Sequence, residues 1–457
     1  MTTTEPRPDV VPFGQAVRAW FTISLQTFGG PAGQIAVMQH HLVDERRWIG
    51  QKRFLHALNF CMLLPGPEAQ QLAIYVGWLL NGLRGGLVAG TLFVLPGVVA
   101  LLVLSGVYVA YGDTTVVTAL FAGLGPAVIA IVAQAVWRVG NRALTSRVLL
   151  GFAVAAFVAL AVLGTPFPIV IAVAAVASWA LHRRRPGLIT AGAAHQAAGE
   201  TSPPLIPDDT LHHEQPSARR NITVLAVGLV AWFAPVAAFA LATGGDSVYT
   251  EQGLFFSGTA VVTFGGAYAV LAFVAQRAVE HYGWLTAGDM VRGLALAEST
   301  PGPLIMVVQF VAFLGAYHQP GPLDPWTAGI AASLLTTWVT FVPCFLFVLL
   351  GAPYIERLRG NEGISAALTG ITAAVVGVIA NLGLYFALHT LFARTDTVDA
   401  GIIHLTVPDP GTLRPVPLAI TVVAVALIFW RKWSVLRVLA VCGLLGLVAG
   451  LAGLPGL

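Results

Sequence analysis

Long apolar runs recur from Leu87 to the C-terminus, and many approach or exceed the roughly 20 residues that an α-helix needs to span a bilayer. They are continuous, whereas the strands of a membrane β-barrel read as short segments of alternating polarity. The pattern predicts membrane helices over about Val148–Leu163, Pro168–His182, Ile222–Leu241, Trp326–Leu350 and Pro417–Trp430. Two apolar runs are too short to cross alone: Phe54–Leu64, about 11 residues, and Glu68–Leu80, about 13. Between them stands Pro65-Gly66-Pro67, where the prolines offer no N–H and the glycine frees the backbone. The pair reads as a re-entrant hairpin or an unwound helix. The run Phe28-Gly29-Gly30-Pro31 is a second break of the same kind.

From Arg183 to Arg220 the apolar pattern stops, and Pro, Ala and polar residues predict a linker. His212, His213 and Glu214 within it read as solvated loop, with no metal site expected. The sequences on either side are related. A shift of 236 residues lays Thr27–Gly30 on Thr263–Gly266, Trp48 on Trp284, and Pro65-Gly66-Pro67 on Pro301-Gly302-Pro303. Further on the shift is 247, so that Pro96 meets Pro343, Gly123 meets Gly370 and Gln134 meets Asn381; the extra residues fit the loop near Gly315–Pro325. The expected organisation is an N-terminal repeat over 1–182, a linker over 183–220 and a C-terminal repeat over 221–457.

Composition agrees with the pattern. The chain of 457 residues is 57% hydrophobic and only 10% charged, against about 25% charged in a soluble domain. Its mean hydropathy is +0.80. The net charge of +3 comes without a basic block, so nothing points to nucleic acid. Cys61, Cys344 and Cys442 sit in apolar runs without ligand spacing and read as buried hydrophobes. The N-terminus lacks the pattern of a cleavable signal peptide. Charge placement sets orientation. Arg138, Arg142 and Arg147 flank one short loop, and Arg183–Arg185 begin the linker. Positive-inside bias makes that side cytoplasmic. Arg46, Arg47, Lys52, Arg53 and Arg84 fit it, as do Arg357 and Arg359, then Arg431 and Lys432; Arg277 and Arg292 fall towards the outer side. One crossing at Ile222–Leu241 then starts the second repeat from the opposite face. The fold class is an all-α polytopic membrane protein of two inverted-topology repeats with broken or re-entrant helices, an arrangement used by transporters.

The breaks suggest the chemistry. Helix N-termini carry unpaired N–H groups and about half a positive charge. Helices beginning at Gly29-Gly30, Pro65-Gly66-Pro67, Gly265-Gly266 and Pro301-Gly302-Pro303 are expected to aim those donors at an anion near the midplane. Gln70, Gln71, Ser299 and Thr300 are candidate side-chain donors beside the tips. Glu68 and Glu298 are rare membrane-depth carboxylates and candidate proton carriers. His56 and Arg292 occupy matching positions before the two tips and are candidates for balancing anion charge. Gln134 and Asn381 read as helix-to-helix amides. No constellation for catalysis, metal or cofactor stands out, and no nucleotide motif of the Gly-Lys-Ser/Thr type occurs, so no enzyme is expected and energy is expected from an ion gradient or the membrane potential.

The stretches FGGPAGQIAVMQHHLVDERRWI, LLPGPEAQQLAIYVGW, LFVLPG, VTFGGAYAVLAFV and YGWLTAGDMVRGLALAESTPGPLIMVVQFVAFLGA resemble the chromate ion transporter family, over nearly the whole chain outside the linker and termini. The resemblance implies export of chromate from the cytoplasm across a bacterial inner membrane, and chromate resistance. The alternative is a transporter or channel for another oxyanion, such as sulfate or molybdate. Protons or a counter-anion are candidate coupling partners, and a homodimer is the expected assembly.

Overall fold

The computed structural model describes residues 9–185, 205–206, 217–264, 266–354, 362–401 and 403–454. The first half holds α1 (Phe13–Ser24), α2 (Gly30–Gln39), α3 (Gln51–Cys61), α4 (Glu68–Tyr111), α5 (Thr115–Ala143), α6 (Arg147–Ala161) and α7 (Phe167–Arg184). A single helix, α8 (Ala218–Thr243), follows the linker. The second half runs α9 (Val248–Val262), α10 (Ala267–Gln276), α11 (Ala287–Ser299), α12 (Val307–His318), α13 (Pro325–Gly351), α14 (Glu362–Leu391), α15 (Pro415–Phe429) and α16 (Val435–Leu451). Among the described residues, six helices are long and apolar enough to cross a membrane, α8 and α14 among them. The chain is an all-α polytopic membrane protein.

The elements recur in order. Each half opens with two helix pairs, α1/α2 and α3 with the first part of α4 in one, α9/α10 and α11/α12 in the other, and each pair breaks at a Gly-Gly or a Pro-Gly-Pro. A π turn ends both second members, at His40–Glu45 after α2 and at Arg277–His281 after α10. The counterpart of the α12–α13 loop is a bend inside α4, where Asn81 and Gly82 leave helical geometry (φ/ψ −137/26 and 61/−153). Residues 68–80 and 83–111 then double back on each other with Gly86 against Trp78 and Gly90 against Ile74. Asn81 Nδ2 donates to Val11 O at 2.6 Å and fixes the bend to the N-terminal segment.

One insertion is absent from the sequence reading. Strands Thr395–Ala400 and Ile403–Pro408 form an antiparallel hairpin between α14 and α15, with Ala400 opposite Ile403. Nearly all of its side chains are exposed, so no apolar face announces it.

Contacts sort the helix ends into two faces. On one, Leu205 and Ile206 of the linker donate backbone hydrogen bonds to Arg47 O and Trp48 O (both 3.1 Å), and His182 lies 3.7 Å from Glu362. On the other, His404 N–H of the hairpin donates to Val162 O at 2.7 Å. We call these the linker face and the hairpin face. Helices α5, α6, α7, α14, α15 and α16 pack into one bundle; α1, α4, α8, α9, α12 and α13 pack into another. Without a hydrophobic drive between helices in lipid, close approach rests on small residues. At the α5–α16 crossing a Cβ added to Gly123 would stand 2.9 Å from Gly446 Cα.

Candidate functional site

The four breaks are joined crosswise. Gly66 N–H donates to Thr263 O at 2.8 Å, and Gly302 N–H donates to Thr27 O at 2.9 Å. Under the 236-residue shift these are one bond made twice, so each Pro-Gly-Pro tip rests on the Phe-Gly-Gly tip of the other half. Both glycines have left-handed φ, 116° and 107°, which a residue with a side chain rarely adopts. Their neighbours match as well: Cys344 packs on Gly66, and Gly97, its counterpart under the 247 shift, packs on Gly302. Gln34 Nε2 adds a 2.6 Å bond to Gly302 O, and Gln71 Nε2 a 2.6 Å bond to Pro65 O.

None of the helices that start at a break carries a side-chain N-cap. Away from the tips, Ser146, Ser247, Thr286 and Asp324 cap α6, α9, α11 and α13. Helices α1, α3, α5, α7, α8, α15 and α16 also start without a side-chain cap, so the missing caps do not by themselves single out the breaks. The uncapped N-termini of α2 and α10 face a cavity of about 330 Å³. Gly29, Gly30 and Gly266 line its wall, with Glu68 from the first turn of α4. Gln134, Arg138 and Arg142 of α5 form another side, and Thr372 and Ile379 of α14 face them. Arg138 and Arg142 lie near the linker-face end of α5, so the cavity opens there. A water occupies about 30 Å³ of liquid, so the space holds a small oxyanion with some of its hydration.

Several predicted residues lie outside this cavity wall. Pro65, Gly66, Pro67, Pro301, Gly302 and Pro303 form the packed cross-joint behind it. Gln71 is used in that joint, while Gln70 is fully buried, and both its side-chain polar atoms lack a partner among the described residues. The hydroxyls of Ser299 and Thr300 donate backwards to Leu296 O and Ala297 O. Arg292 Nη1 donates to Tyr108 Oη at 2.8 Å near the hairpin face, and that phenol donates to Asp289 at 2.5 Å. His56 is half-buried on α3. Glu298 is buried; Tyr268 Oη, on the cavity wall, donates to its Oε1, and its Oε2 has no partner among the described residues. Gly265, His212, His213, Glu214, Arg357, Arg359 and all of the linker between 186 and 216 except Leu205 and Ile206 lie outside the described residues.

Sequence reasoning missed Tyr268 and Gln34, and took Arg138 and Arg142 only as markers of orientation. For the arginines a signal existed: with Gln134 they repeat every fourth residue along one helix face. At the linker face, His41 bridges Glu45 (2.5 Å) and Gln26 (3.1 Å), tying the end of α2 to the residues before its start. The hydrogen bond from His41 holds the Glu45 carboxyl below the usual carboxylate range.

The family model described as "Chromate transporter" matches residues 14–179 and 250–447, both sets of tips included. The chain belongs to the chromate transporter family. It is 34% identical over 386 residues to a chromate transport protein of Pseudomonas aeruginosa, covering 82% of each chain. It is 27% identical to a probable chromate transport protein of Synechococcus elongatus, over 89% of this chain and 92% of that one. It is also 27% identical to a chromate transport protein of Cupriavidus metallidurans, over 82% of this chain and 83% of that one. No solved structure matches the chain. In this member of the chromate transporter family, the matched spans contain every described residue of the cavity wall named above.

Proposed function

We propose that this protein exports chromate, or a tetrahedral oxyanion of similar size such as sulfate or molybdate, across a bacterial inner membrane, and thereby gives resistance to chromate. The observation that carries this reading is the cavity: it opens on one face and is lined by uncapped helix N-termini from both halves. Backbone N–H groups and helix dipoles suit an anion and leave no cation beside it in the deep part of the site. The chromate transport proteins that the chain is similar to supply the ion.

The two halves act as oppositely oriented copies, the N-terminal repeat over 1–182 and the C-terminal over 221–457. The crossing by α8 and the reciprocal tip bonds support this. The linker face is cytoplasmic, because Arg46, Arg84, Arg142, Arg183 and Arg431 gather there. Transport proceeds by alternating access. In this conformation α10 and α11 pack against α14 and α5, while α2 and α3 make no comparable contact, and the cavity fills that gap. A dianion leaving a cell moves down the potential by about 2.3 kcal/mol per charge per 100 mV. Glu68 in the wall, and Glu298 joined to it through Tyr268, are the candidates for carrying a coupled proton.

The test is uptake of labelled chromate by everted vesicles, with the pH gradient and the potential collapsed separately and with sulfate as competitor. Accumulation above vesicles lacking the protein is expected. Absence of accumulation under every gradient would remove the exporter reading.

A further inference from the structure

The deep part of the cavity is lined by backbone at the helix starts together with the Glu68 carboxyl, whereas its mouth is basic. Arg138 and Arg142 are one turn apart on the same face of α5, both line the cavity and both are exposed. Neither has an ion-pair or hydrogen-bond partner within bonding distance among the described residues, although the Arg138 charge acts across the wall on Tyr268 and the buried Glu298. Glu68 is the one carboxylate among the described lining residues, and it sits at the tip end. Two guanidinium groups therefore face the path with their donor forks open, a geometry suited to paired oxygen atoms of an oxyanion.

The repeat makes this pair conspicuous. Under the 247-residue shift the counterparts of Arg138 and Arg142 are Tyr385 and His389, at the hairpin-face end of α14. Their rings stand 4.3 Å apart, and His389 Nδ1 lies 2.8 Å from Tyr385 O. The buried Tyr385 Oη has no hydrogen-bond partner among the described residues, and neither residue carries a guanidinium. We propose that Arg138 and Arg142 capture the oxyanion at the linker face before it reaches the helix N-termini, and that the lack of an equivalent pair on α14 makes uptake from the linker face favoured over uptake from the hairpin face. This rests on the oxyanion reading of the cavity. The physical basis is field focusing: like charges lining a cleft with low-dielectric walls raise the local counter-ion concentration and on-rate by about 10–10³-fold. The bias resides in charge, so salt screens it over a Debye length of about 8 Å at physiological ionic strength.

The experiment uses the full-length chain in proteoliposomes of resolved orientation, with labelled chromate presented to either face across a series of ionic strengths. Wild type is expected to show a lower KM at the linker face, rising with salt. Arg138→Gln/Arg142→Gln is expected to raise that KM about tenfold and to flatten its salt dependence, with a smaller change in the hairpin-face KM, so that the difference between the faces shrinks. Arg138→Lys/Arg142→Lys, which keeps charge without the fork, is expected to restore the salt dependence. Unchanged KM and salt slope in an active Gln variant would overturn the capture role and leave the transport reading standing. Inactivity of both the Gln and the Lys variants would overturn it too, since charge would then not be what those positions supply. A wild-type protein that moves neither chromate, sulfate nor molybdate would overturn both readings.

Discussion

Gly66→Ala is the most direct probe of the cross-joint. Its φ of 116° lies where a side chain is strained, at about 1–3 kcal/mol. The new Cβ would stand 2.9 Å from Cys344 Sγ and 3.0 Å from Gln71 Nε2, which adds an overpacking cost of about 1–3 kcal/mol. Gly302→Ala has similar strain at 107°, but its Cβ would meet Gly97 Cα at 3.3 Å, a milder contact with backbone. The two substitutions should therefore differ in how they can be relieved. Trimming Cys344 to Ala removes the sulfur that the new methyl group at position 66 would strike, so the Gly66→Ala/Cys344→Ala pair should be less destabilised than the sum of its single changes by about 1–2 kcal/mol. No side chain can be trimmed beside Gly302, so Cys344→Ala combined with Gly302→Ala should be additive. The assay is a double-mutant cycle on reversible unfolding in mixed micelles, with chromate counterflow measured on the same samples. Additivity of Gly66→Ala with Cys344→Ala would refute the packing of one half's tip on the other half's helix.

Further substitutions test other parts. Gly123→Ala should cost at least about 2 kcal/mol, because its Cβ would stand 2.9 Å from Gly446 Cα and force α5 from α16; Gly151→Ala, with nothing within 4 Å, should be neutral or gain up to about 1 kcal/mol of helix propensity. Tyr268→Phe leaves Glu298 buried with neither oxygen partnered, so a loss of about 1–3 kcal/mol is expected; if Glu298 carries the proton, Glu298→Gln should make chromate flux insensitive to the pH gradient while counterflow persists. Tyr108→Phe breaks the links to Asp289 and Arg292 near the hairpin face, and should raise labelling of cysteines placed in α11 by a membrane-impermeant reagent from that side. Asp324, which caps α13, is held below the ordinary aspartate value of 3.8, chiefly by the hydrogen bond from the Thr327 side chain. Its contribution is present above that value and lost as pH falls through the depressed one, so the stability advantage of wild type over Asp324→Ala should vanish in that acid window and not on the alkaline side.

The fold was legible where the backbone needs special letters. Left-handed or N–H-free backbone requires Gly or Pro, so the tips at Gly66 and Gly302 appear in the sequence with their spacing. The surface hairpin was not legible because strands such as Thr395–Ala400 carry almost no buried side chain, and an exposed strand reads like a loop. The site was half legible for a related reason. Helix starts at Gly29-Gly30 and Gly266 can be read as breaks, but the bonds that bring the breaks together run from backbone N–H to backbone C=O and leave no mark on side-chain identity. Ser299 and Thr300 look like donors in the sequence, yet their hydroxyls turn to the last carbonyls of α11, the local alternative open to any hydroxyl at a helix end.

What no sequence pattern could supply is the difference in packing between the two halves. If the halves are the oppositely oriented copies proposed above, they have equal claims on each contact, and the packing of α10 and α11 on the opposite bundle, unmatched by α2 and α3, then belongs to a conformation and not to the repeat. Exchanging those roles would keep the two cross-joint bonds, since each half donates one and accepts one. The exchange would therefore cost little at the tips, and the balance between the two conformations would rest on positions where the copies differ. Tyr268 and Glu298 stand where the first half has Ala32 and Met62, and all but Glu298 line the cavity. Breaking the Tyr268–Glu298 pair should therefore shift the population between inward- and outward-open forms, whereas substitutions at Ala32 that preserve its volume should not. Equal shifts from both would mean that the asymmetry is set elsewhere.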